Sequence, residues 1–213
     1  MQNNYTYDVA MFRDTFETRF TYLNGFMRNV SRFKTRPAMT DPLSGRRWTY
    51  EELNIEANRL AHALRASGVG KNDVVMFTLL NSPEFVFCYL AAHKVGAIAC
   101  PVNYRQGAGE IALVIDDSCP KAFLYDAEFG ELSAGALNMC QHKPGAVVMV
   151  DYKGGAQVPK GHILYKDYVS GQSEDDPPVD FHPHIYDETT RLYTSGTTSR
   201  PKGVPVNNVN EVL

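Results

Sequence analysis

The sequence predicts an α/β fold, with a mostly parallel sheet covered by helices on both faces. Four short runs are apolar almost throughout, which is typical of strands buried on both faces. Segments with helical patterns separate these runs, and strand–helix alternation is typical of parallel sheets with right-handed crossovers. The four predicted strands are Val74–Leu80, Ala97–Val102, Ala122–Tyr125 and Val147–Val150. We therefore expect them to lie in one sheet.

Composition agrees with a folded domain and excludes several classes of partner. The 213 residues are 44% hydrophobic and 21% charged, enough apolar material for a buried core. A net charge of -3 and a pI near 6.1 give no electrostatic footprint for nucleic acid or an anionic membrane. No apolar run has the length of a membrane span. We expect a cytoplasmic protein that binds no nucleic acid.

The cysteines fit a reducing compartment. They lack C-x-x-C spacing and lie in apolar contexts, so we expect reduced thiols that are mostly small core residues. They are Cys88, Cys100, Cys119 and Cys140.

Apolar residues at helical spacing predict a helical arm over residues 1–36, with Gly25 dividing it into two helices. This stripe consists of Phe12, Phe16, Phe20, Leu23, Met27 and Val30. A short hairpin is predicted next, from Pro37 to Asp41 and from Arg46 to Thr49. Thr49 and Glu52 form a capping box for the following helix, which Gly68 ends in a left-handed conformation.

The later helices are marked by their ends. Ser82-Pro83 begins one helix and Gly96 ends it; two more are predicted over Glu110–Asp117 and Glu128–Gln141. The alternation stops after Asp151, where an acidic, proline-bearing run, EDDPPVDFHPH, predicts a surface connection.

The polar residues of this connection have two interpretations. We interpret Glu174, Asp175 and Asp176 as a solvated face rather than a cation site. His182 and His184, with Asp180 and Asp187, could suggest a metal site, but two histidines in a polar loop lack a fixed scaffold. We therefore predict no metal-binding residue in this chain. A last strand, Thr190–Tyr193, leads into a polar loop.

That loop, TSGTTSRPKGV from Thr194 to Val204, combines hydroxyls, glycines and two cations. Gly196 and Lys202 have the spacing of the first glycine and the lysine in a Walker A loop. Pro201 stands where the second Walker glycine belongs, and Gly203 replaces the hydroxyl that would bind magnesium. The chain is therefore not a P-loop NTPase.

The loop's chemistry still suits phosphate. Four hydroxyls can donate hydrogen bonds, the backbone at Gly196 can direct N–H groups at one anion, and Lys202 adds a compact positive charge. Pro201 stiffens the segment that presents the lysine. The hydroxyls belong to Ser195, Thr197, Thr198 and Ser199. A polar hairpin turn between two strands explains the same composition equally well.

The order of residues is more specific. TSGTTSRPKGV resembles the phosphate loop of the adenylate-forming enzymes, approximately (S/T)-S-G-(S/T)-(S/T)-G-x-P-K-G-V. This family includes acyl-CoA synthetases, luciferases and peptide-synthetase adenylation domains. WTYEEL, followed by Asn58-Arg59-Leu60-Ala61, is similar to the family's first motif, and HKVGAIACPVNYR to its second. The resemblance runs from about Pro37 to Asn210.

The resemblance implies an acid–CoA ligase. Such enzymes use ATP and Mg²⁺ to convert a carboxylic acid into an acyl-adenylate and pyrophosphate, and coenzyme A then displaces AMP. It implies that Lys202 is catalytic and that the loop binds the β- and γ-phosphates of ATP. The implied ATP-binding residues are Thr194, Ser195, Gly196, Thr197, Thr198, Ser199 and Lys202.

Two positions depart from the family pattern. Ser199 stands where glycine is usual, so a positive φ there would be strained. Asn208 stands where many members have histidine, which puts any role of that histidine near the acyl pocket or the adenylate in doubt.

The family's adenine, ribose and magnesium motifs have no counterpart in this sequence. We expect an N-terminal piece of a longer ligase, with an α/β AMP-binding subdomain over residues 37–213. We expect this piece to fold, to be inactive alone, and to self-associate through an apolar surface. Two alternatives stay open: an adenylation domain for amino acids or other carboxylates, and a non-catalytic phosphate-binding or interaction module.

Overall fold

The computed structural model describes residues 8–194 and 201–212. The helices in this part of the chain are α1 Val9–Arg19, α2 Tyr22–Phe33, α3 Tyr50–Ala66, α4 Pro83–Lys94, α5 Ala108–Ser118, α6 Gly130–Met139, α7 Tyr165–Tyr168 and α8 Asn208–Val212. The strands are β1 Pro37–Thr40, β2 Arg47–Thr49, β3 Val74–Thr78, β4 Ile98–Pro101, β5 Ala122–Asp126, β6 Ala146–Val150, β7 Ile163–Leu164, β8 Glu188–Thr194 and β9 Lys202–Asn207. None of these helices is long and apolar enough to cross a bilayer.

Strands β3 to β9 form one sheet in the order β7-β6-β5-β3-β4-β8-β9. Neighbours from β7 through β8 pair in parallel, and β9 runs antiparallel to β8. The four predicted strands correspond to β3, β4, β5 and β6. The predictions of an α/β fold and of a single, mostly parallel sheet are therefore confirmed.

Helices cover both faces of this sheet. Val75 and Phe77 of β3 point toward a core shared with α3 and α4, whereas Val74 and Met76 point toward a core shared with α5 and α6. Alternate residues of one strand thus enter opposite cores. This is why the strand sequences are continuously apolar. Cys88, Cys100 and Cys140 are buried as predicted and Cys119 is exposed; all four are free thiols in this structure.

The amino-terminal arm forms two helices, but the predicted break was wrong. The chain bends at Phe20 and Thr21, and the Thr21 side chain caps α2 by accepting from the Asn24 backbone N–H at 3.2 Å. Gly25 lies inside α2 and donates its own N–H to the Thr21 carbonyl. A side-chain cap marked the helix start, and the glycine did not interrupt the helix. The proposed domain boundary at residue 36 stays a prediction.

The predicted hairpin and helix signals are present. β1 and β2 pair antiparallel, and α3 begins with the capping box, since Thr49 N donates to Glu52 Oε2 at 2.8 Å and Glu52 N donates to Thr49 Oγ1 at 3.2 Å. Gly68 and Gly96 adopt φ values of +80° and +70° after α3 and α4. At Gly96 a Cβ would also lie 2.9 Å from the Phe181 ring, so that ring packs directly on the turn.

Two short elements, β7 and α7, were not predicted. β7 has two residues and extends the sheet beside β6, pairing Val148 with Ile163. Nδ1 of the adjacent His162 forms a 2.7 Å hydrogen bond with the Tyr125 hydroxyl. A two-residue strand is too short to produce a period in the sequence, which is why the pattern missed it.

Residues 174–187 form a strap across α3 and α4, with ion pairs to these helices and to the loop that follows α3. Glu174 pairs with Arg59 at 2.5 Å, Asp180 with Arg65 at 3.0 Å and Asp187 with Lys71 at 3.1 Å. The segment is a surface connection, as predicted. The interpretation of its acids as a solvated face was incomplete, because Glu174 and Asp176 are half exposed yet also bind basic residues of the helices.

The most deeply placed contact of this strap joins Lys94 to Asp176. The Lys94 side chain is only 3% exposed, and its ammonium lies 2.8 Å from Asp176 Oδ1. Burial lowers the pKa of Lys94 although Asp176 opposes this. Burial works to raise the pKa of Asp176, but hydrogen bonds from Lys94 and Asn54 outweigh it and the pKa lies below its usual value.

The two halves of this pair should therefore contribute unequally to stability. Asp176→Ala leaves a buried ammonium without its counter-ion and should cost about 3 kcal/mol of unfolding free energy. Lys94→Met leaves Asp176, whose side chain is 53% exposed, free to hydrate, and should cost less than about 1 kcal/mol. Urea unfolding of the purified chain measures both. Asp180→Ala, which frees the more exposed Arg65, is the control; equal losses at all three positions would contradict this prediction.

Candidate functional site

The polar loop closes a β-hairpin. β8 and β9 pair antiparallel from Glu188–Asn207 to Thr194–Lys202, so the first and last predicted phosphate-binding residues form the final cross-strand pair. The other predicted site residues, Ser195, Gly196, Thr197, Thr198 and Ser199, lie outside the described residues. The antiparallel pairing of β8 with β9 agrees with the hairpin alternative. It does not exclude phosphate binding.

The hairpin ends at the edge of the sheet where ligands usually bind. β8 pairs in parallel with β4, aligning Ala99 with Thr190, so Thr194 ends at the same edge as the carboxyl ends of β3, β4 and β5. In open α/β sheets, ligands bind outside the carboxyl ends of the strands. The fold therefore presents Thr194 and Lys202 where a substrate is expected.

The pairing also determines which side chains share a face. Directly opposed residues of an antiparallel pair project to the same side. Thr194 and Lys202 therefore share one face with the pair Leu192–Val204, whose members are 41% and 44% exposed. The opposite face carries the pairs Tyr193–Gly203 and Arg191–Pro205.

On that opposite face Tyr193 bonds the hairpin to the domain, whereas Arg191 bonds Glu188 of the same strand. The Tyr193 hydroxyl donates to Asp117 Oδ2 at 2.5 Å, and burial together with this hydrogen bond raises the pKa of Tyr193. The guanidinium of Arg191 donates to both carboxylate oxygens of Glu188, at 2.7 and 2.8 Å. This bidentate hydrogen bond raises the pKa of Arg191, which stays charged.

Gly203 is required by the Tyr193 ring. A Cβ at position 203 would lie 3.2 Å from Tyr193 Cζ and Oη and 3.3 Å from Arg191 Cδ. The sequence analysis placed Gly203 in the family motif and as a departure from the Walker pattern, but it assigned no functional role to Tyr193 or Asp117. Asp117 lies 76 residues before Tyr193, and no local pattern connects them.

Asn208 begins α8 directly after β9 and makes two side-chain hydrogen bonds. Its Oδ1 accepts from the Tyr22 backbone N–H at 3.3 Å, and its Nδ2 donates to the His184 carbonyl at 3.1 Å. Asn208 is 5% exposed. Its side chain therefore links the start of α2, the strap and the end of the hairpin, which gives the unusual asparagine a structural explanation.

The buried His93 and the partly buried Glu211 form an acid–base pair beside the hairpin. Glu211 Oε1 accepts from the Thr190 hydroxyl at 2.6 Å and lies 3.9 Å from His93 Nε2. Burial lowers the pKa of His93, although the negative charge of Glu211 works against this. Tyr22 packs edge-on against the His93 ring with centroids 5.6 Å apart. These groups join the hairpin to α2 and α4 at a distance from the loop.

A concave region lies at the carboxyl edge of the sheet, on the side of β3 away from the hairpin. It is a cleft of about 570 Å³ bordered by the ends of β3, β5 and β6. Asp126 lies in its wall, and burial raises the pKa of this carboxyl. Asp151 shapes its rim by accepting from the N–H groups of Gly154 and Ala156, at 2.9 and 2.7 Å. The carboxyl edge thus has open space beyond the hairpin itself.

Comparison with known proteins identifies the family of this chain. The model of the family described as AMP-binding enzyme matches residues 26–212. The chain belongs to this family. It is 37% identical over 156 residues to the 3-hydroxybenzoate–CoA/4-hydroxybenzoate–CoA ligase of Thauera aromatica, covering 73% of this chain and 29% of that protein. It is 33% identical over 167 residues to the long-chain-fatty-acid–CoA ligase FadD13 of Mycobacterium tuberculosis, covering 78% and 31%.

Solved structures of family members share the fold. The anthranilate CoA ligase AuaEII, in complex with anthranoyl-AMP, superposes with a TM-score of 0.75 and 25% identity over 88% of this chain and 35% of that one. The inhibitor-bound N-terminal domain of FACL13 from Mycobacterium tuberculosis gives a TM-score of 0.71 and 28% identity over 90% and 44%. The chain thus spans less than a third of the length of the two ligases compared by sequence.

The family implies binding of ATP and Mg²⁺, and the described residues include groups suited to the phosphates of ATP. Thr194 and Lys202 supply a hydroxyl and an ammonium, which suit the phosphates of a nucleotide. Within residues 8–194 and 201–212, no group of three or more His, Cys, Asp or Glu side chains is placed to hold a metal ion. The described residues therefore offer a candidate phosphate site at Thr194 and Lys202.

Two glycine substitutions should have opposite effects on stability. Gly203→Ala places a methyl group against Tyr193 and Arg191, and we expect a loss of about 1–2 kcal/mol, as for overpacking elsewhere. Gly25→Ala adds a methyl group in open space inside α2, and we expect a gain of about 0.5–1 kcal/mol. Chemical denaturation of both variants measures the difference. A Gly203→Ala protein as stable as the wild type would show that Tyr193 does not depend on this close approach.

Proposed function

We propose that the gene product carrying this chain is an AMP-forming acid–CoA ligase, and that this chain supplies its phosphate-binding loop. Membership of the AMP-binding enzyme family supports the reaction class. The observation that carries the proposal is the placement of Thr194 and Lys202, paired at the carboxyl edge of the sheet. The ligase names of the similar proteins support coenzyme A as the acyl acceptor.

The reaction needs stabilisation of a growing negative charge. An oxygen of the substrate carboxylate attacks the α-phosphorus of ATP, and the bond from that phosphorus to the bridging oxygen breaks, so pyrophosphate leaves with the electron pair. The Lys202 ammonium and the hydroxyls at Thr194, Ser195, Thr197, Thr198 and Ser199 are proposed to contact the β- and γ-phosphates. Donors fixed where charge accumulates lower the barrier without reorganising during the reaction.

The second half-reaction transfers the acyl group. The thiol of coenzyme A attacks the acyl carbonyl, AMP leaves, and the thiol proton passes to solvent or a base. We assign none of the described residues to this step. Mg²⁺ is proposed as the metal that accompanies ATP, and we assign no described residue to it.

The first test is ATP–pyrophosphate exchange by the complete gene product. Exchange that depends on a carboxylic acid would support adenylate formation, and thioester formation would separate a CoA ligase from an amino-acid adenylation domain. The panel should include hydroxybenzoates, cinnamic acids and long-chain fatty acids, since names of similar proteins include ligases for 3-hydroxybenzoate, 4-coumarate and long-chain fatty acids. No exchange with any acid would overturn the proposal.

Lys202→Ala should slow adenylate formation more than it weakens ATP binding. The lysine is assigned to charge that grows toward the transition state, so turnover should fall roughly tenfold to a thousandfold while the KM for ATP changes less. The exchange assay at varied ATP measures both quantities.

Lys160→Ala is the matched control, because it removes an exposed lysine that lies outside the hairpin. It should leave both quantities unchanged. Normal turnover with a raised KM for ATP in the Lys202 variant would show instead that the lysine only binds the ground state.

A further inference from the structure

We infer that Tyr193 and Asp117 are positioning residues for the phosphate loop, acting through the base of the hairpin rather than by touching a ligand. The inference rests on the proposed function, which makes Lys202 a phosphate-binding residue. Its basis is the hydrogen bond between the Tyr193 hydroxyl and Asp117 Oδ2, together with the seat that Gly203 provides for the Tyr193 ring.

Lys202 needs an anchor because it begins an edge strand. Within the described residues β9 pairs only with β8, and Lys202, Gly203, Val204 and Pro205 are all exposed. The position of the lysine therefore depends on what holds β8 and on how β9 is aligned with it.

Tyr193 meets both requirements. It immediately precedes Thr194 in β8, and its cross-strand partner Gly203 immediately follows Lys202 in β9. The ring lies against Gly203, while the hydroxyl reaches the domain at Asp117. One side chain thus connects both strands of the hairpin, at the pair next to the loop, to the body of the protein.

Asp117 is a fixed attachment point because the end of α5 is itself held. The neighbouring Asp116 accepts from the backbone N–H groups of Gln141 and His142, at 2.7 and 2.8 Å. The next residue, Ser118, is buried and donates to the Val114 carbonyl at 2.7 Å. The carboxylate of Asp117 therefore projects from backbone that is tied on both sides.

Loss of the Tyr193 hydroxyl should affect catalysis more than binding. In Tyr193→Phe the ring keeps its seat on Gly203, but the hairpin loses its bond to α5. We expect turnover in the exchange assay to fall on the order of tenfold, with the KM for ATP nearly unchanged, since small misplacements of a catalytic group lower the rate of the chemical step. Asp117→Ala should match this loss, and the double variant should be no worse than either single variant.

Tyr168→Phe is the control for a merely structural loss. It removes a tyrosine hydroxyl that bonds Ser67 Oγ at 2.8 Å, away from the hairpin. This variant should lower stability to a similar extent and leave turnover unchanged.

Amide hydrogen exchange of the same proteins tests the geometry without relying on activity. Peptides covering β8 and β9 should exchange faster in Tyr193→Phe than in the wild type or in Tyr168→Phe. Unchanged hydrogen exchange in these peptides would overturn the inference. Faster hydrogen exchange combined with normal turnover would also overturn it. If the wild-type protein shows no pyrophosphate exchange, the proposed function fails, and the hydrogen-exchange result still decides whether Tyr193 and Asp117 hold the hairpin.

Discussion

The candidate site depends on the parallel pairing of β4 with β8. β4 is buried in the sheet, with Ala99 and Cys100 fully covered. β8 aligns with it through Ala99 and Thr190 and then continues past the covered region to Thr194. Because protein interiors are close-packed and hardly compressible, a strand paired with a buried strand is held in a fixed position. The pairing with β4 therefore sets the position of the hairpin, although few hairpin residues belong to the core.

The strap through which the chain reaches β8 is held both by ion pairs and by apolar contacts, since Ile185 at its end is only 1% exposed. The strap places acidic residues against basic residues of α3 and α4, and its one deep ion pair joins Asp176 to Lys94. Phe181 adds an apolar contact at Gly96, where the turn needs a positive φ and tolerates no Cβ. Exposed ion pairs contribute little individually. The ion pair at Lys94 and the apolar contacts of Phe181 and Ile185 therefore contribute most to fixing where the strap leads into β8.

The parts of the structure that the sequence predicted are those with local physical signals. Continuous apolar runs identified β3 to β6, and the Thr49–Glu52 capping box marked the start of α3. Errors arose where a signal was too short or was overridden: β7 has two residues, and Gly25 is accommodated in α2 because Thr21 caps that helix. The motif supplied Thr194 and Lys202, but Asp117 could not be predicted, since its contact with Tyr193 joins distant segments.

The length of the hairpin loop favours phosphate binding over a simple turn. Closing two antiparallel strands usually takes two to five residues. Seven residues separate the paired Thr194 and Lys202, and they include four hydroxyl-bearing residues proposed to donate to phosphate, Ser195, Thr197, Thr198 and Ser199. Residues beyond those needed for chain reversal add entropic cost to folding unless they serve another purpose. The hairpin and the proposed phosphate site are therefore compatible: the pairing sets the ends of the segment at Thr194 and Lys202, and the residues between them are those proposed to donate to an anion.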